Sequence, residues 1–174
     1  MKKGFTLLEV LIVVVIAVSV AVFAVPAYKK TQDKNRYLAA QGVLMDLGNG
    51  LRTLQAEGYA FPTSAQQVTS SNMSGTLGTD VEVTNSNYQK ALVVRKYMSP
   101  IPFDNTITSV YKGYKFYACP VNTATTTACC NNNAGVVACM EDSTFESVAA
   151  SPTAGQYYGA TFLRSGTIKR IPKN

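Results

Sequence analysis

The sequence contains no histidine and no tryptophan, and only 15% of its residues are charged. Histidine is the commonest general base and the commonest transition-metal ligand. Its absence removes the Ser-His and Cys-His pairs on which many hydrolases depend. The phosphate-binding pattern G-x-x-x-x-G-K is also missing. We therefore expect no catalytic residues, no cofactor and no metal site, so the chain is not predicted to be an enzyme.

The basic residues are spread along the chain rather than clustered. The 16 lysines and arginines exceed the 10 acidic residues, which gives a formal net charge of +6. The segment from Val110 to Cys119 alternates aromatic residues with lysines, and such a pattern can stack on nucleic-acid bases. A strand in a small sheet explains the same alternation with no further assumption. We therefore do not expect a nucleic-acid partner.

One carboxylate interrupts an otherwise apolar N-terminal run that extends from Phe5 to Val25. The run is longer than the apolar part of a cleaved secretory signal, and residues Ala24–Ala27 match the A-x-A cleavage site of such signals poorly. A transmembrane helix needs about 20 apolar residues, which the run supplies. Glu9 is then unexplained, because a carboxylate costs roughly 2.5–3.5 kcal/mol at the centre of a bilayer.

A cut between Gly4 and Phe5 would explain this carboxylate. The cut leaves a new amino group on Phe5, and Glu9 lies four residues along the same helix face. In a packed array, Glu9 can pair with that amine in the same subunit or in a neighbouring one. A misplaced subunit would leave its carboxylate buried and unpaired, so the pair would fix the register of assembly.

The first residues resemble the N-terminus of type IV prepilins and of their pseudopilin relatives. This family has a short basic leader ending in glycine, an aromatic residue after the cut, then Thr-Leu, and a glutamate shortly beyond. The stretch MKKGFTLLEVLIVVVIAV contains all of these features. The resemblance implies that residues 1–4 are a leader peptide, that a prepilin peptidase cleaves after Gly4, and that Phe5 is then N-methylated. Gly4, Phe5 and Glu9 would be the positions that this peptidase recognises.

The resemblance also implies assembly into a polymer. Residues 5–25 would cross the bacterial inner membrane once in the precursor and would then form the core of a helical filament. Phe5, Glu9 and Pro26 would take part in that assembly. The implied partners are identical subunits, the prepilin peptidase, the membrane and a pilus or secretion assembly platform. The mature chain would be found in a cell-surface pilus or in a periplasmic pseudopilus.

Three functions remain open at this point. The first is a structural subunit of a type IV pilus, which would support adhesion, motility or DNA uptake. The second is a pseudopilin of a type II secretion system. The third is a membrane-anchored surface domain that never polymerises. The cysteine-rich region and the long loop after the helix favour the pilus modestly.

An amphipathic helix is predicted for residues 26–58. Its apolar residues recur at intervals of three and four, which places them in one stripe on a single face. Pro26 either ends the membrane span or loosens the helix, and Gly58 is a typical C-terminal stop. The stripe consists of Tyr37, Ala40, Leu44, Leu47, Leu51 and Leu54.

The rest of the chain is predicted to be a variable loop region, residues 59–109, and a sheet region, residues 110–174. Within the loop region only Val81–Val83 favours a strand, and Tyr88–Arg95 favours a short helix. The sheet is expected to be antiparallel, with three or four strands packed on one side against the helix stripe. This α+β order is similar to that of the type IV pilin fold. The strands are predicted at 110–119, 136–140, 157–163 and 167–171, with Gly166 in a hairpin turn.

Four cysteines lie in one short segment of the sheet region. In an exported chain they indicate disulfides, and their spacing differs from the C-x2–4-C pairs of zinc sites. A bridge between the adjacent Cys129 and Cys130 would need a strained ring. Two pairings remain: Cys119 with Cys129 and Cys130 with Cys139, or Cys119 with Cys130 and Cys129 with Cys139. Either pairing would staple the loops of this region to strand ends.

Overall fold

The computed structural model describes residues 6–59, 62–78, 81–101, 103, 113–120, 129, 135–142 and 159–171. The chain divides into two compact units, Met1–Arg36 and Tyr37–Asn174. In chain order the elements are α1 (Leu7–Ala56), β1 (Gln66–Val68), α2 (Ser70–Met73), α3 (Tyr88–Val94), β2 (Tyr114–Ala118), β3 (Val136–Asp142), β4 (Gly159–Leu163) and β5 (Ile168–Ile171).

The first unit consists of the apolar part of α1 and the turns that follow it. Every described residue from Thr6 to Asn35 is exposed, including Leu7 at 83% and Phe23 at 79%. By length and composition alone, α1 is long and apolar enough to cross a membrane. The helix also continues through Pro26, so this proline does not end the helix.

The end of α1 is set by Gly58. This glycine has a φ of +94°, a conformation that residues with a side chain rarely adopt. Gly58 N–H donates to the Gln55 carbonyl at 3.1 Å, and Tyr59 N–H donates to the Leu54 carbonyl at 3.3 Å. This pair of bonds is a Schellman motif, which satisfies two carbonyl groups that a helix end would otherwise leave unpaired.

The second unit is built around the apolar stripe of α1, as the helical spacing predicts. Ala40, Leu44, Leu47, Leu51 and Leu54 are all fully buried. They belong to one core cluster that also contains residues of β1 to β4 and of α3. Tyr37 is partly buried against this core, and its hydroxyl donates to the Gly159 carbonyl at 3.3 Å.

The described strands form one five-stranded antiparallel sheet in the order β1-β2-β3-β4-β5. Each strand therefore pairs with its neighbour in the sequence. Opposite residues include Phe116 and Met140 on β2 and β3, and Thr161 and Lys169 on β4 and β5. The register shifts between Val136 and Ala138. The expected α+β fold, a long N-terminal helix on an antiparallel sheet, is confirmed.

The strand count and one strand position differ from the expectation. Val81–Val83 is not a strand, although Val83 is buried in the core. The additional strand is β1, Gln66–Val68, which pairs with β2. Only Val68 of its three residues is buried, so the segment has too little apolar alternation to be read as a strand. Because β1 extends the sheet by one strand, the described residues contain five strands rather than three or four.

The other predicted elements lie close to their observed positions. The short helix ends at Val94, one residue before the prediction, and β3 extends past Met140 to Asp142. The hairpin turn between β4 and β5 contains Gly166 at a φ of +87°. The first parts of two predicted strands, residues 110–112 and 157–158, lie outside the described residues.

Polar side chains tie α3 and the segment after it to the rest of the second unit. The buried Gln89 donates through Nε2 to the Gln67 carbonyl of β1 at 3.2 Å. Arg95 Nη1 donates to the Tyr59 hydroxyl at 2.9 Å. The guanidinium also lies over the Tyr59 ring, 5.5 Å from its centroid. These contacts hold α3 beside the end of α1.

Candidate functional site

The start of α1 is organised by reciprocal hydrogen bonds between Thr6 and Glu9. Glu9 N–H donates to Thr6 Oγ1 at 3.3 Å. In return, Thr6 N–H and the Thr6 hydroxyl donate to Glu9 Oε2 at 3.4 and 3.3 Å. Thr6 is thus the N-cap and Glu9 the third helical residue of a capping box. A carboxylate at this position also interacts favourably with the positive end of the helix dipole.

This arrangement places the carboxylate at the first residues after the predicted cut. Gly4 and Phe5, the predicted cleavage and methylation positions, lie outside the described residues. Glu9 accepts from the backbone N–H of Thr6, which directly follows Phe5 in the sequence. The carboxylate is therefore directed toward the N-terminal end of α1 rather than away along the helix.

The sequence interpretation did not assign the N-cap role to Thr6. The signal was present, because Thr6-Leu7-Leu8-Glu9 matches the capping-box pattern of Ser or Thr followed three residues later by Glu. Glu9 therefore has a local role in starting the helix as well as its predicted role in assembly. Any test of the charge of Glu9 must separate these two roles.

The helix surface that follows Glu9 is apolar, and its polar side chains bond to their own helix. Ser19 Oγ donates to the Val15 carbonyl at 2.7 Å, and Thr31 Oγ1 donates to the Ala27 carbonyl at 3.0 Å. Pro26 lacks an N–H, so it cannot donate to the carbonyl one turn earlier. The exposed surface from Leu7 to Val25 therefore presents mainly hydrocarbon to its surroundings.

The cysteines form a separate buried cluster in the second unit. Cys119 and Cys129 are joined by a disulfide. Cys139 is also disulfide-bonded, while Cys130 lies outside the described residues. The sulfur of Cys139 is 3.9 Å from that of Cys119 and 3.8 Å from that of Cys129. Val136 belongs to the same cluster, and Ala65, Tyr117 and Leu163 pack against it.

The three described sulfur atoms all lie within 4.8 Å of one another. Free thiolates at such distances could hold a soft metal ion. Because thiolates rather than disulfide sulfurs bind metals, the disulfides make this cluster a covalent brace. The Cys119–Cys129 bridge ties the residue that follows β2 to Cys129. In addition, Cys119 N–H donates to the Val137 carbonyl of β3 at 2.9 Å.

The lysine and tyrosine pattern of β2 is only partly described, because Tyr111 and Lys112 lie outside the described residues. Lys115 lies opposite Glu141 on β3. Burial raises the pKa of the Glu141 carboxyl, and the charge of Lys115 partly opposes this. Burial, together with the nearby Glu141, also raises the pKa of Tyr117. This part of the sheet therefore carries a mixed charge rather than a cationic strip.

Residues 1–25 match the family model described as the prokaryotic N-terminal methylation motif. The match covers the leader, the predicted cleavage position, the capping box and the apolar run. No curated protein matches the chain, and no solved structure matches it. The matched segment therefore carries the processing signal of type IV pilins and pseudopilins. For the residues after 25, the comparisons add nothing, and the structure alone describes their fold.

Proposed function

Because its first 25 residues carry the N-terminal methylation motif, we propose that this type IV pilin-like chain is a structural subunit of a type IV pilus. The motif implies processing by a prepilin peptidase and assembly of the pilus type. In this proposal the enzyme cuts after Gly4 and methylates Phe5. The precursor is anchored in the inner membrane by residues 5–25, and the mature chain is added to a filament at the cell surface.

The observation that carries the proposal is the position of the Glu9 carboxylate. It is held at the first turn of α1 by Thr6, which directly follows Phe5 in the sequence, the residue on which cleavage would create an amino group. An ammonium group and a carboxylate attract each other strongly where water is scarce. Insertion between apolar helices would therefore favour subunits whose carboxylate meets an amine, in the same copy or in an adjoining one.

The exposed apolar surface of the first unit supports the same proposal. All described residues from Thr6 to Val25 are exposed in the single chain. Lipid covers such a surface in the precursor, and other copies of the same helix would cover it in a filament. The Ser19 hydroxyl donates within its own helix, so burying it in lipid or among other helices leaves no unpaired donor.

The cystine cluster gives the proposed subunit a braced surface domain. Since Cys119 pairs with Cys129 and Cys139 is also bridged, we propose that Cys139 pairs with Cys130. Disulfides limit how far the chain between them can extend under tension. A filament that bears load in adhesion or motility would benefit from such a domain.

Two substitutions at Glu9 test the proposal, because they separate the charge from the cap. Glu9→Gln keeps a capping-box residue but removes the charge, since Gln also serves at this position. Glu9→Ala removes both. We expect both variants to insert into the membrane and both to yield few or no filaments, measured by electron microscopy and quantitation of sheared surface material.

Thr6→Ser is the matched control, because it keeps the capping hydroxyl and leaves the carboxylate in place. It should give filaments in normal yield. Normal yields from Glu9→Gln would show that the charge is not required, and they would overturn the proposed pairing with the Phe5 amine. A normal filament yield from Glu9→Ala would show, in addition, that the Thr6–Glu9 capping box is not required for assembly.

A further inference from the structure

The part of α1 that directly follows the apolar run is richer in basic residues than the rest of the chain. Lysine or arginine occupies four of the eight positions from 29 to 36, whereas the whole chain has 16 basic residues among 174. Lys29, Lys30 and Lys34, here called the basic collar, are all exposed. They belong to the same compact unit as the apolar run. Nothing in the proposed filament chemistry uses them.

The positive charge of this segment exceeds what its own residues balance. Asp33 is its one acidic residue, and a carboxylate oxygen of Asp33 lies 3.7 Å from Arg36 Nη1. The salt bridges among the residues that the structure describes do not include a lysine of the collar. Lys30 and Lys34 are four positions apart on one helix face, where like charges repel each other. An anion beside this face would replace that repulsion with attraction.

The helix places the collar at the depth of lipid head groups. Phe5–Val25 has about the length of the hydrocarbon core of a bilayer, roughly 30 Å. Since α1 is continuous through Pro26, Lys29 lies about 6 Å beyond Val25 along the axis, and Lys34 about 14 Å beyond. The head-group layer is roughly 5–8 Å thick on each side of the hydrocarbon core. The backbone of the collar therefore begins within this layer and ends just outside it.

The direction of helical side chains brings the collar closer to the bilayer. In an α-helix every Cα–Cβ bond is tilted toward the helix N-terminus, and the N-terminal part of α1 is its apolar part. A lysine stem is long and flexible, so its ammonium group extends about one helical turn toward a polar layer. Lys34 therefore reaches the same head groups as Lys29 and Lys30.

Tyr28 supports a membrane boundary at the same place. It is 65% exposed, and its hydroxyl accepts from Gln32 Nε2 one turn further along the helix. Tyrosine is enriched where membrane helices enter the head-group layer, because its ring is apolar and its hydroxyl is polar. The residue next to the collar is therefore of the type that such a boundary favours.

The side of the membrane makes the collar unusual. In the proposed precursor, the residues that follow the apolar run face away from the cytoplasm. Membrane proteins usually carry their excess of lysine and arginine on the cytoplasmic side. Here Lys2 and Lys3 precede the run, whereas four basic residues follow it. Basic residues on the disfavoured side need another reason, and an anionic partner at that surface supplies one.

We propose that Lys29, Lys30 and Lys34 bind the phosphate groups of anionic phospholipids in the leaflet that faces away from the cytoplasm. An ammonium group and a phosphate oxygen form a charge-assisted hydrogen bond, and each basic residue near an anionic membrane surface adds to the attraction. A zwitterionic lipid carries its own cation beside the phosphate, so the collar selects anionic lipids. The inference rests on the proposed membrane anchoring by residues 5–25 and not on filament assembly.

Electron spin resonance of spin-labelled lipids tests this inference. The full chain is reconstituted into phosphatidylcholine vesicles that contain a trace of spin-labelled phosphatidylglycerol or of spin-labelled phosphatidylcholine. The spectra give the fraction of each lipid that is immobilised against the protein. We expect phosphatidylglycerol to associate at least about threefold more strongly than phosphatidylcholine at low ionic strength. Salt should weaken this preference, because it screens exposed charges.

Replacing the collar by Lys29→Gln, Lys30→Gln and Lys34→Gln together should lower the preference for phosphatidylglycerol by at least about twofold. Lys2 and Lys3, at the other end of the apolar run, account for the remainder. Replacing the same three lysines by arginine is the matched control, because it keeps the charge and should keep the preference. Glutamine and arginine have helix propensities close to that of lysine, and circular dichroism would establish that the helix is retained.

The outcomes separate this inference from the proposed function. If both lipids are immobilised equally, or if the glutamine variant keeps the full preference, the collar does not bind anionic lipids and the inference is wrong, while the membrane anchoring stands. If neither lipid is immobilised by the unaltered chain, the chain does not span the bilayer, and the proposed anchoring fails together with the inference.

Discussion

The ring of Phe162 lies directly against the backbone of Gly48, so β4 and α1 meet where α1 has no side chain. A Cβ added to Gly48 would come within 2.2 Å of Phe162 Cδ1. Both residues are buried, and Phe162 is part of the core. The glycine is therefore a requirement of packing, although glycine is a poor residue for the interior of a helix.

Gly48→Ala should destabilise the second unit by roughly 1–3 kcal/mol, because the added methyl group would force the Phe162 ring or the helix to move. Urea unfolding of the full chain in detergent, followed by near-ultraviolet circular dichroism of the tyrosines, measures this change. Destabilisation of less than a few tenths of a kcal/mol would show that the core can readily accommodate the methyl group.

Gly42→Ala is the matched control on the same helix. Gly42 is exposed, and nothing lies within 4 Å of the position that its Cβ would occupy. Here the methyl group meets no neighbour and the helix gains intrinsic stability, so we expect stabilisation by about 0.5–1 kcal/mol. Opposite signs at positions 42 and 48 are the expected pattern.

Thr6→Val should weaken the first turn of α1, because valine keeps the shape of threonine but lacks its hydroxyl. Loss of an N-cap typically costs about 1 kcal/mol, and the Glu9 carboxylate also loses one of its two donors. We expect a reduced filament yield, intermediate between those of Thr6→Ser and Glu9→Ala. A Thr6→Val yield equal to that of Thr6→Ser would show that the capping hydroxyl has no part in assembly.

Tyr88 should make the second unit sensitive to alkaline pH. Burial raises the pKa of this fully buried tyrosine to about 12, whereas an unfolded tyrosine titrates near pH 10. The unfolded chain therefore loses this proton first as pH rises. The stability contributed by the neutral phenol is complete below about pH 10 and declines between about pH 10 and pH 12.

Tyr88→Phe should reduce the loss in free energy of unfolding between about pH 10 and pH 12 by up to about 2–3 kcal/mol. Tyr28→Phe, which removes the hydroxyl of an exposed tyrosine in the first unit, is the matched control. Burial also raises the pKa of Tyr97 and of Tyr117, so part of the decline will persist. If the free energy of unfolding falls equally steeply with pH for Tyr88→Phe and for the unaltered chain, the prediction is wrong. The measurement is the free energy of unfolding at a series of pH values.

The disulfide pairing can be tested with double substitutions, because a peptide that carries both of the adjacent cysteines, Cys129 and Cys130, cannot show which of them is bridged to Cys119. Cys130→Ser with Cys139→Ser should leave no free thiol, since Cys119 and Cys129 remain bridged. Cys129→Ser with Cys139→Ser should leave two reactive thiols under denaturing conditions. The reverse labelling result would support the alternative pairing of Cys119 with Cys130.

Removing the Cys119–Cys129 bridge should also lower stability. It closes a short loop, with a sequence separation of 10, and a loop of that size contributes about 3 kcal/mol in the chain-entropy model. Cys119→Ser with Cys129→Ser is the variant to compare with the unaltered chain by urea unfolding. A loss below about 0.5 kcal/mol would mean that the bridge does not brace this part of the sheet.

The features that the sequence predicts well are those with a local pattern. The stripe from Ala40 to Leu54 follows helical spacing, and all its members are buried. The turn at Gly166 is marked by a glycine between two strand patterns. The Thr6–Glu9 capping box is equally local, and it could have been read from the same residues.

Other features depend on contacts between distant parts of the chain. β1 is a strand because β2 offers it hydrogen bonds, while its own three residues have little strand character. The need for glycine at position 48 arises from Phe162, more than one hundred positions away. Arg52 and Arg164 line the same surface depression only when the β4–β5 turn packs beside α1. No spacing pattern in the sequence predicts these long-range contacts.

The most direct test of the central claim is mass spectrometry of the mature N-terminus, with the chain purified from cells that express the prepilin peptidase. A pilin-like subunit should begin at Phe5, carry one added methyl group on its amine, and come from sheared surface filaments. A chain that retains Met1 to Gly4 and stays in the membrane as a single copy would contradict the account.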